Sequence, residues 1–170
     1  MTNNPGDPKA AYNCAVDMLS RQDRSEKDLY ERLLKKGFEE PAAAEALKKL
    51  RDKHYIDDVR MAEHFISAHL SEQSLAQLKF KLMHKGIAAD DIAAAIGRIS
   101  DEAVDDSESL RNRQAVAVFE ILKKKKYAGK DQAGEKILAS LSRKGFSYDI
   151  IREGISLYEE ESDKEGSDRE

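Results

Sequence analysis

The chain has 170 residues, 36% of them charged and 6% aromatic, and a formal net charge of −4. Its single cysteine, Cys14, excludes an intrachain disulfide and fits a reducing cytoplasm. No apolar run is long enough to span a bilayer, no signal-peptide pattern opens the chain, and the overall charge balance does not point to nucleic acid.

The first residues, 1–9, hold two prolines, a glycine and two asparagines, the composition of a disordered lead. Ala11–Leu19 is the first amphipathic run. Ser25 then stands as a helix N-cap before Ser25–Phe38, SEKDLYERLLKKGF, and Pro41 suits the first turn of a third helix. Val59–Leu70 is the next amphipathic run, with Asp57 or Asp58 placed to cap it. Ser74–Ile87, SLAQLKFKLMHKGI, repeats the earlier pattern, and Asp90 and Asp91 place negative charge at the start of the following helix. Residues 101–110 are acidic and rich in serine, which reads as a linker. Beyond the run Ala115–Leu122 come the lysines Lys123–Lys126, part of a basic linker, which could touch phosphate or lie solvent-exposed at a helix end; a third copy follows at Ala133–Phe146, AGEKILASLSRKGF. Residues 159–170 carry seven acids and two bases and no apolar anchor, so a disordered acidic tail is expected there, and residues 1–158 sum to +1.

Aligned on Gly37, Gly86 and Gly145, the three copies superpose Leu29, Leu78 and Ile137, then Leu33, Leu82 and Leu141. An i, i+4 apolar pair followed by a cation and then glycine predicts an amphipathic helix with a left-handed stop. Phe38, Ile87 and Phe146 then fold back onto the last turn. Apolar residues recur at common offsets downstream, at Ala43, Leu47 and Leu50, at Ile92, Ile96 and Ile99, and at Ile151, Ile155 and Tyr158. The fold expected is all-α: three tandem three-helix modules, residues 10–53, 54–100 and 111–158, forming an elongated, solenoid-like array.

Little in this sequence carries bond-making chemistry. Adjacent Asp57 and Asp58 point apart on a helix and read as caps. His54, His64, His69 and His84 lack metal-ligand spacing, Cys14 has no neighbours that mark a nucleophile, and no phosphate-binding glycine loop occurs. The expectation is a non-enzymatic protein without cofactor or metal. The basic residues are more informative. Arg32, Lys35 and Lys36 share one helix face, Lys81, His84 and Lys85 hold the same offsets in the second copy, and Arg143 and Lys144 do so in the third. These cations could be a solvated face near helix ends or a stripe that meets an acidic or phosphate-bearing partner. Phe80, between Lys79 and Lys81, is a candidate interface aromatic or a flank of the core.

Tyr55-Ile56-Asp57-Asp58-Val59-Arg60-Met61-Ala62, with Arg24-Ser25, Leu29, Leu33 and Lys36-Gly37-Phe38 before it and Lys85-Gly86-Ile87 after it, resembles the RecX family. The resemblance covers roughly residues 10 to 158; Tyr30 and the polar stretch Ser71–Ser74 depart from the family's pattern. It implies three three-helix modules and a cytoplasmic monomer that binds the recombinase RecA and the RecA–DNA filament. It further implies modulation, and most simply inhibition, of recombinase, ATPase and co-protease activity in recombination, DNA repair and the SOS response, with possible direct DNA contact and no membrane association. The alternatives are a helical DNA-binding module acting without RecA and a helical scaffold for another protein.

Overall fold

The computed structural model of the chain describes residues 4–101, 109–129 and 131–167, with side chains as far as 163. Among them are nine helices and no strand: α1 (Pro8–Leu19), α2 (Glu26–Lys35), α3 (Glu40–Asp52), α4 (Asp58–His69), α5 (Leu75–His84), α6 (Ala89–Asp101), α7 (Leu110–Lys124), α8 (Gln132–Arg143) and α9 (Tyr148–Ser167). The contacts divide the chain into two compact units, residues 1–64 with 81–95, and residues 65–80 with 96–170.

In the first unit α1 lies on α3, and α2 packs on both. Alanines make this possible: Ala11 and Ala15 of α1 and Ala43 and Ala46 of α3 are all 0% exposed, and small side chains let two helix axes approach closely. Leu29 and Leu33, one turn apart on α2, join Leu47 and Leu50 of α3 in the core, with Phe38 and Ile56 closing it. Helix α1 starts earlier than the disordered lead expected over 1–9 allows. Pro8 sits in its first turn, where no N–H is needed, and the Asp7 carboxylate accepts from the Lys9 amide at 2.9 Å. The Glu39 amide also donates to the Pro5 carbonyl at 2.9 Å, which ties the lead to the start of α3.

In the second unit α9 packs along α7 and touches α8. Its core joins Ala117, Val118 and Leu122 of α7, Leu141 of α8 and Ile151 of α9 with Tyr127 and Phe146. Gly154 of α9 meets α7 directly, since a Cβ there would lie 2.6 Å from Val118 Cβ and 2.9 Å from the Ala115 carbonyl oxygen. Helix α9 runs on to Ser167, past the point where a disordered tail was expected from 159. Glu161 reaches Lys123 of α7 at 3.0 Å, and the Ser162 hydroxyl donates back to the Tyr158 carbonyl at 2.9 Å. The acidic linker expected over 101–110 lies largely outside the described residues; α6 ends at Asp101, and the Ser109 hydroxyl caps α7 by accepting from the Asn112 amide.

The helix stops follow the repeat. Gly37, Gly86 and Gly145 have φ of 91°, 85° and 79°. The next amide donates back five residues in each case: Phe38 to Leu33, Ile87 to Leu82 and Phe146 to Leu141, at 3.1, 3.1 and 3.2 Å. These are Schellman stops, and each returns an apolar residue to the core. Two more stops of the same form have no glycine. His54 and Lys126 take φ of 56° and 53°, while Tyr55 and Tyr127 donate to the Leu50 and Leu122 carbonyls at 2.9 and 3.0 Å.

Candidate functional site

The repeat helices are jointed head to tail by one recurring contact. Ser25 is 2% exposed; its hydroxyl oxygen accepts from the Asp28 amide at 3.2 Å, and its hydrogen goes to the Lys85 carbonyl at 2.6 Å. Ser74, at the same position of the second copy and 1% exposed, accepts from the Gln77 amide at 3.2 Å and donates to the Lys144 carbonyl. One hydroxyl thus caps its own helix and also supplies a donor to a carbonyl at the end of the next repeat helix. In the third copy the serine position is Ala133, and α8 is capped instead by Asp131, which accepts from the Gly134 amide at 2.7 Å.

The glycines contribute twice to these joints. Beyond allowing the left-handed turn, they leave room for the helix that arrives. A Cβ on Gly86 would lie 3.1 Å from Ser25 Oγ and 3.2 Å from Lys27 Cβ; one on Gly145 would lie 3.0 Å from Ala76 Cβ and 3.1 Å from Ser74 Oγ.

Each joint has a second acceptor at the first amide of the repeat helix, and the two copies differ in charge there. The Glu26 amide donates to the Asp58 carboxylate at 3.1 Å. The Leu75 amide donates to the Gln114 side-chain oxygen at 2.8 Å, while Gln114 Nε2 donates to the Leu70 and Gln73 carbonyls at 3.2 and 3.0 Å. The neutral amide is fully served. Burial pushes the Asp58 carboxyl up to about 6 against the stabilising Glu26 bond, and the nearby Asp91, Glu26 and Asp57 carboxylates push the same way. Asp57 accepts from the Arg60 amide at 2.9 Å and so caps α4, which leaves Asp58 for α2.

Beside each joint is a groove, and the two grooves occupy the same place in the repeat. Met61 lines the first and Glu120 the second, each 25 residues before the glycine that closes the joint. The first groove, about 190 Å³, is flanked by Asp23, Arg24, Asp28, His84 and Lys85. Arg24 and Arg32 both hold the Asp28 carboxylate, at 2.7 and 2.8 Å. Burial works against Asp28, but the hydrogen bonds from Arg32 and Arg24 outweigh it and hold the carboxyl below its ordinary range. The second groove is about 610 Å³ and is lined by Lys123, Lys124, Lys125 and Lys144, with Glu72 and Glu120.

The basic residues singled out in the sequence are distributed as follows. Arg32, Lys35 and Lys36 are exposed at the far end of α2 from Ser25, roughly 15 Å along a helix of ten residues. His84 and Lys85 lie at the Ser25 joint, on the wall of the first groove. Lys79, Phe80 and Lys81 are exposed on α5, Phe80 by 58%. Arg143 is exposed, and Lys144, partly buried, meets the three α7 lysines in the second groove. Those lysines have no counterpart in the first two copies; the sequence offers them as a phosphate contact or a solvated helix end, and does not bring them together with Lys144. The double use of Ser25 and Ser74 is likewise invisible in a pattern that a plain N-cap satisfies.

Cys14 is half-buried at the edge of the first core. No group of three His, Cys, Asp or Glu able to hold a metal ion occurs among the described residues. No described helix is long and apolar enough to cross a membrane.

Helices that recur in sets of three along the chain, stopped by Schellman glycines and jointed through a capping serine, define a tandem three-helix repeat protein. The family model described as RecX, first three-helix domain, matches residues 11–50. The Regulatory protein RecX of Bacillus pumilus is 33% identical over 92% of this chain and 60% of its own length, and that of Bacillus subtilis is 32% identical over 92% and 58%. A crystal structure of RecX from Lactobacillus salivarius superposes with a TM-score of 0.72 at 25% identity, over 90% of this chain and 97% of that one. A second crystal structure, of a regulatory protein RecX, shares the fold at a TM-score of 0.66 and 22% identity, over 88% and 71% of the two chains. In sequence and in fold the chain is similar to RecX proteins. It spans about six tenths of the length of the curated relatives that it matches.

Proposed function

We propose that this chain is a non-enzymatic regulator of RecA that binds RecA and the RecA–DNA filament and inhibits its recombinase, ATPase and co-protease activities. Similarity to RecX proteins in sequence and fold supports the reading. Within the molecule, the observation that carries it is the set of exposed basic residues Lys81, His84 and Lys85 at the C-terminal end of α5, where Ser25 holds the Lys85 carbonyl. A rigid joint rimmed with cations is suited to an acidic or phosphate-rich surface, where charge matters more to association than to folding. In this reading the working units are the three-helix modules over 10–53, 54–100 and 111–158, and the protein acts as a cytoplasmic monomer.

The test is RecA ATPase on single-stranded DNA, titrated with this protein. Inhibition is expected from the parent. Lys81→Glu with Lys85→Glu should weaken it several-fold, most at low salt, where screening is least. Lys48→Glu with Lys49→Glu on α3, a matched charge change, should leave it intact. No change in RecA activity at saturating protein would refute the reading. A second reading, direct DNA binding without RecA, is favoured by one observation, the lysine-lined second groove.

A further inference from the structure

We propose that the groove beside the Ser74 joint is a binding site for the phosphate backbone of a nucleic acid, and that the groove beside the Ser25 joint, at the same place in the repeat, is not. The inference gives the second reading above a definite site. It does not depend on RecA.

The two grooves form an internal comparison. Both are framed by the residues leading into a repeat helix, the end of the following repeat helix and the helix that precedes it. In the first, the described lining sets two carboxylates, Asp23 and Asp28, against two cations, Arg24 and Lys85, so these charges cancel in number. In the second, four lysines face two carboxylates, Glu72 and Glu120, across about three times the volume. Lys123 is partly neutralised by Glu161 at 3.0 Å and lies 5.6 Å over the Phe119 ring. Among the described residues no carboxylate pairs with Lys124, Lys125 or Lys144. That leaves three lysines, from the end of α7 and the end of α8, converging on one concave surface.

The chemistry of the wall favours phosphate over an acidic polypeptide. Lysines act as mobile point charges, which suits a polyanion whose binding is driven by counterion release. A peptide would need a strand edge or a row of apolar pockets to fix its main chain. The groove has no strand beside it among the described residues, and Ile121 is its one apolar lining residue. Among the described residues no aromatic one lines it, so bases find no stacking partner there and binding should be indifferent to sequence.

The experiment is fluorescence anisotropy of a labelled thirty-nucleotide oligo-dT with the full chain, without RecA, across a salt series. Lys124→Glu with Lys125→Glu should weaken binding by about ten-fold or more at low salt and flatten the log–log salt slope by at least about 1, since roughly 0.7 is lost per phosphate contact to a single strand. Lys144→Gln should weaken it to a lesser degree. Lys48→Glu with Lys49→Glu should change neither affinity nor slope, and circular dichroism checks that every variant stays helical. Equal losses from the groove and control pairs would reduce the effect to overall charge and overturn the site. So would an undetectable interaction of the parent at low salt, or displacement of the oligonucleotide by poly-glutamate at equal charge concentration, which would mark the groove as a seat for acidic protein. None of these failures bears on RecA inhibition, which is read in a separate assay through Lys81 and Lys85.

Discussion

The hydroxyl of Ser74 donates to the carbonyl of Lys144, and Ser25 makes the same bond to Lys85 at 2.6 Å. Both serines are buried and both also cap their own helices. Replacement by alanine removes a cap and leaves a partly buried carbonyl without this donor. Each of Ser25→Ala and Ser74→Ala should cost about 1–3 kcal/mol. Urea melts check this; a loss of a few tenths, as for an exposed cap alone, would mean that the bond to the neighbouring repeat contributes nothing.

Two glycines within helices should respond to alanine with opposite signs. Gly97 of α6 has nothing within 4 Å of its missing Cβ, so Gly97→Ala should stabilise by about 0.5–1 kcal/mol through helix propensity. At Gly154 the same gain is outweighed by the collision with Val118 and the Ala115 carbonyl, so Gly154→Ala should destabilise by about 1–3 kcal/mol in spite of the better helix former. Shifts of the same sign in the two variants would contradict the packing of α9 on α7 described above.

Glycine should help where the chain turns left-handed without one. His54→Gly and Lys126→Gly relieve a Cβ held at φ of 56° and 53°, and each should stabilise by about 1 kcal/mol in thermal melts. The converse holds at Gly86, where φ is 85° and Ser25 and Lys27 close the space; Gly86→Val should cost at least about 1–2 kcal/mol.

Asp58 makes stability depend on pH in a defined direction. Its folded carboxyl titrates at about 6, above the ordinary value of 3.8, so the folded protein holds its proton more tightly than the unfolded chain. This contribution is fully present below about pH 4 and is lost as pH rises through about 6. Because the carboxyl is still partly solvated, the loss should be on the order of 1 kcal/mol. Asp58→Asn keeps an acceptor for the Glu26 amide and removes the charge, as Gln114 does at the other joint. It should stabilise the protein at pH 8 and leave it little changed at pH 4.5. A variant less stable than the parent at pH 8 would show that the ionised carboxylate is favourable where it stands.

The helices and their stops were legible because they depend on local chemistry. The pairs Leu29/Leu33, Leu78/Leu82 and Ile137/Leu141 with the glycine that follows determine both the buried face and the left-handed turn within a few residues. The stops at His54 and Lys126 were not legible, since tertiary packing holds those residues where intrinsic preference would not. The extent of α9 was misjudged for a related reason: a segment of acids looks solvated until Lys123 on another helix is placed beside Glu161. The candidate surfaces were half legible. Repetition pointed to Lys81, His84 and Lys85, and the lysine run Lys123–Lys126 was visible as a basic stretch, but its meeting with Lys144 depends on how α7 and α8 pack, which no local pattern gives.

The bond at the centre of each joint runs from one hydroxyl to one main-chain carbonyl, so the other side chains that line the groove beside it take no part in that bond. Scaffold and surface are therefore free to change independently. Gln22 and Asp23 could be exchanged for Ser71 and Glu72 without touching either bond, and Met61 could carry the charge of Glu120 or a lysine in its place. A duplicated helix trio inherits its coupling ready-made and can acquire a new ligand by surface substitution alone. At Ala133 the hydroxyl is absent: Asp131 caps α8, and the position has no side-chain donor to offer a further carbonyl.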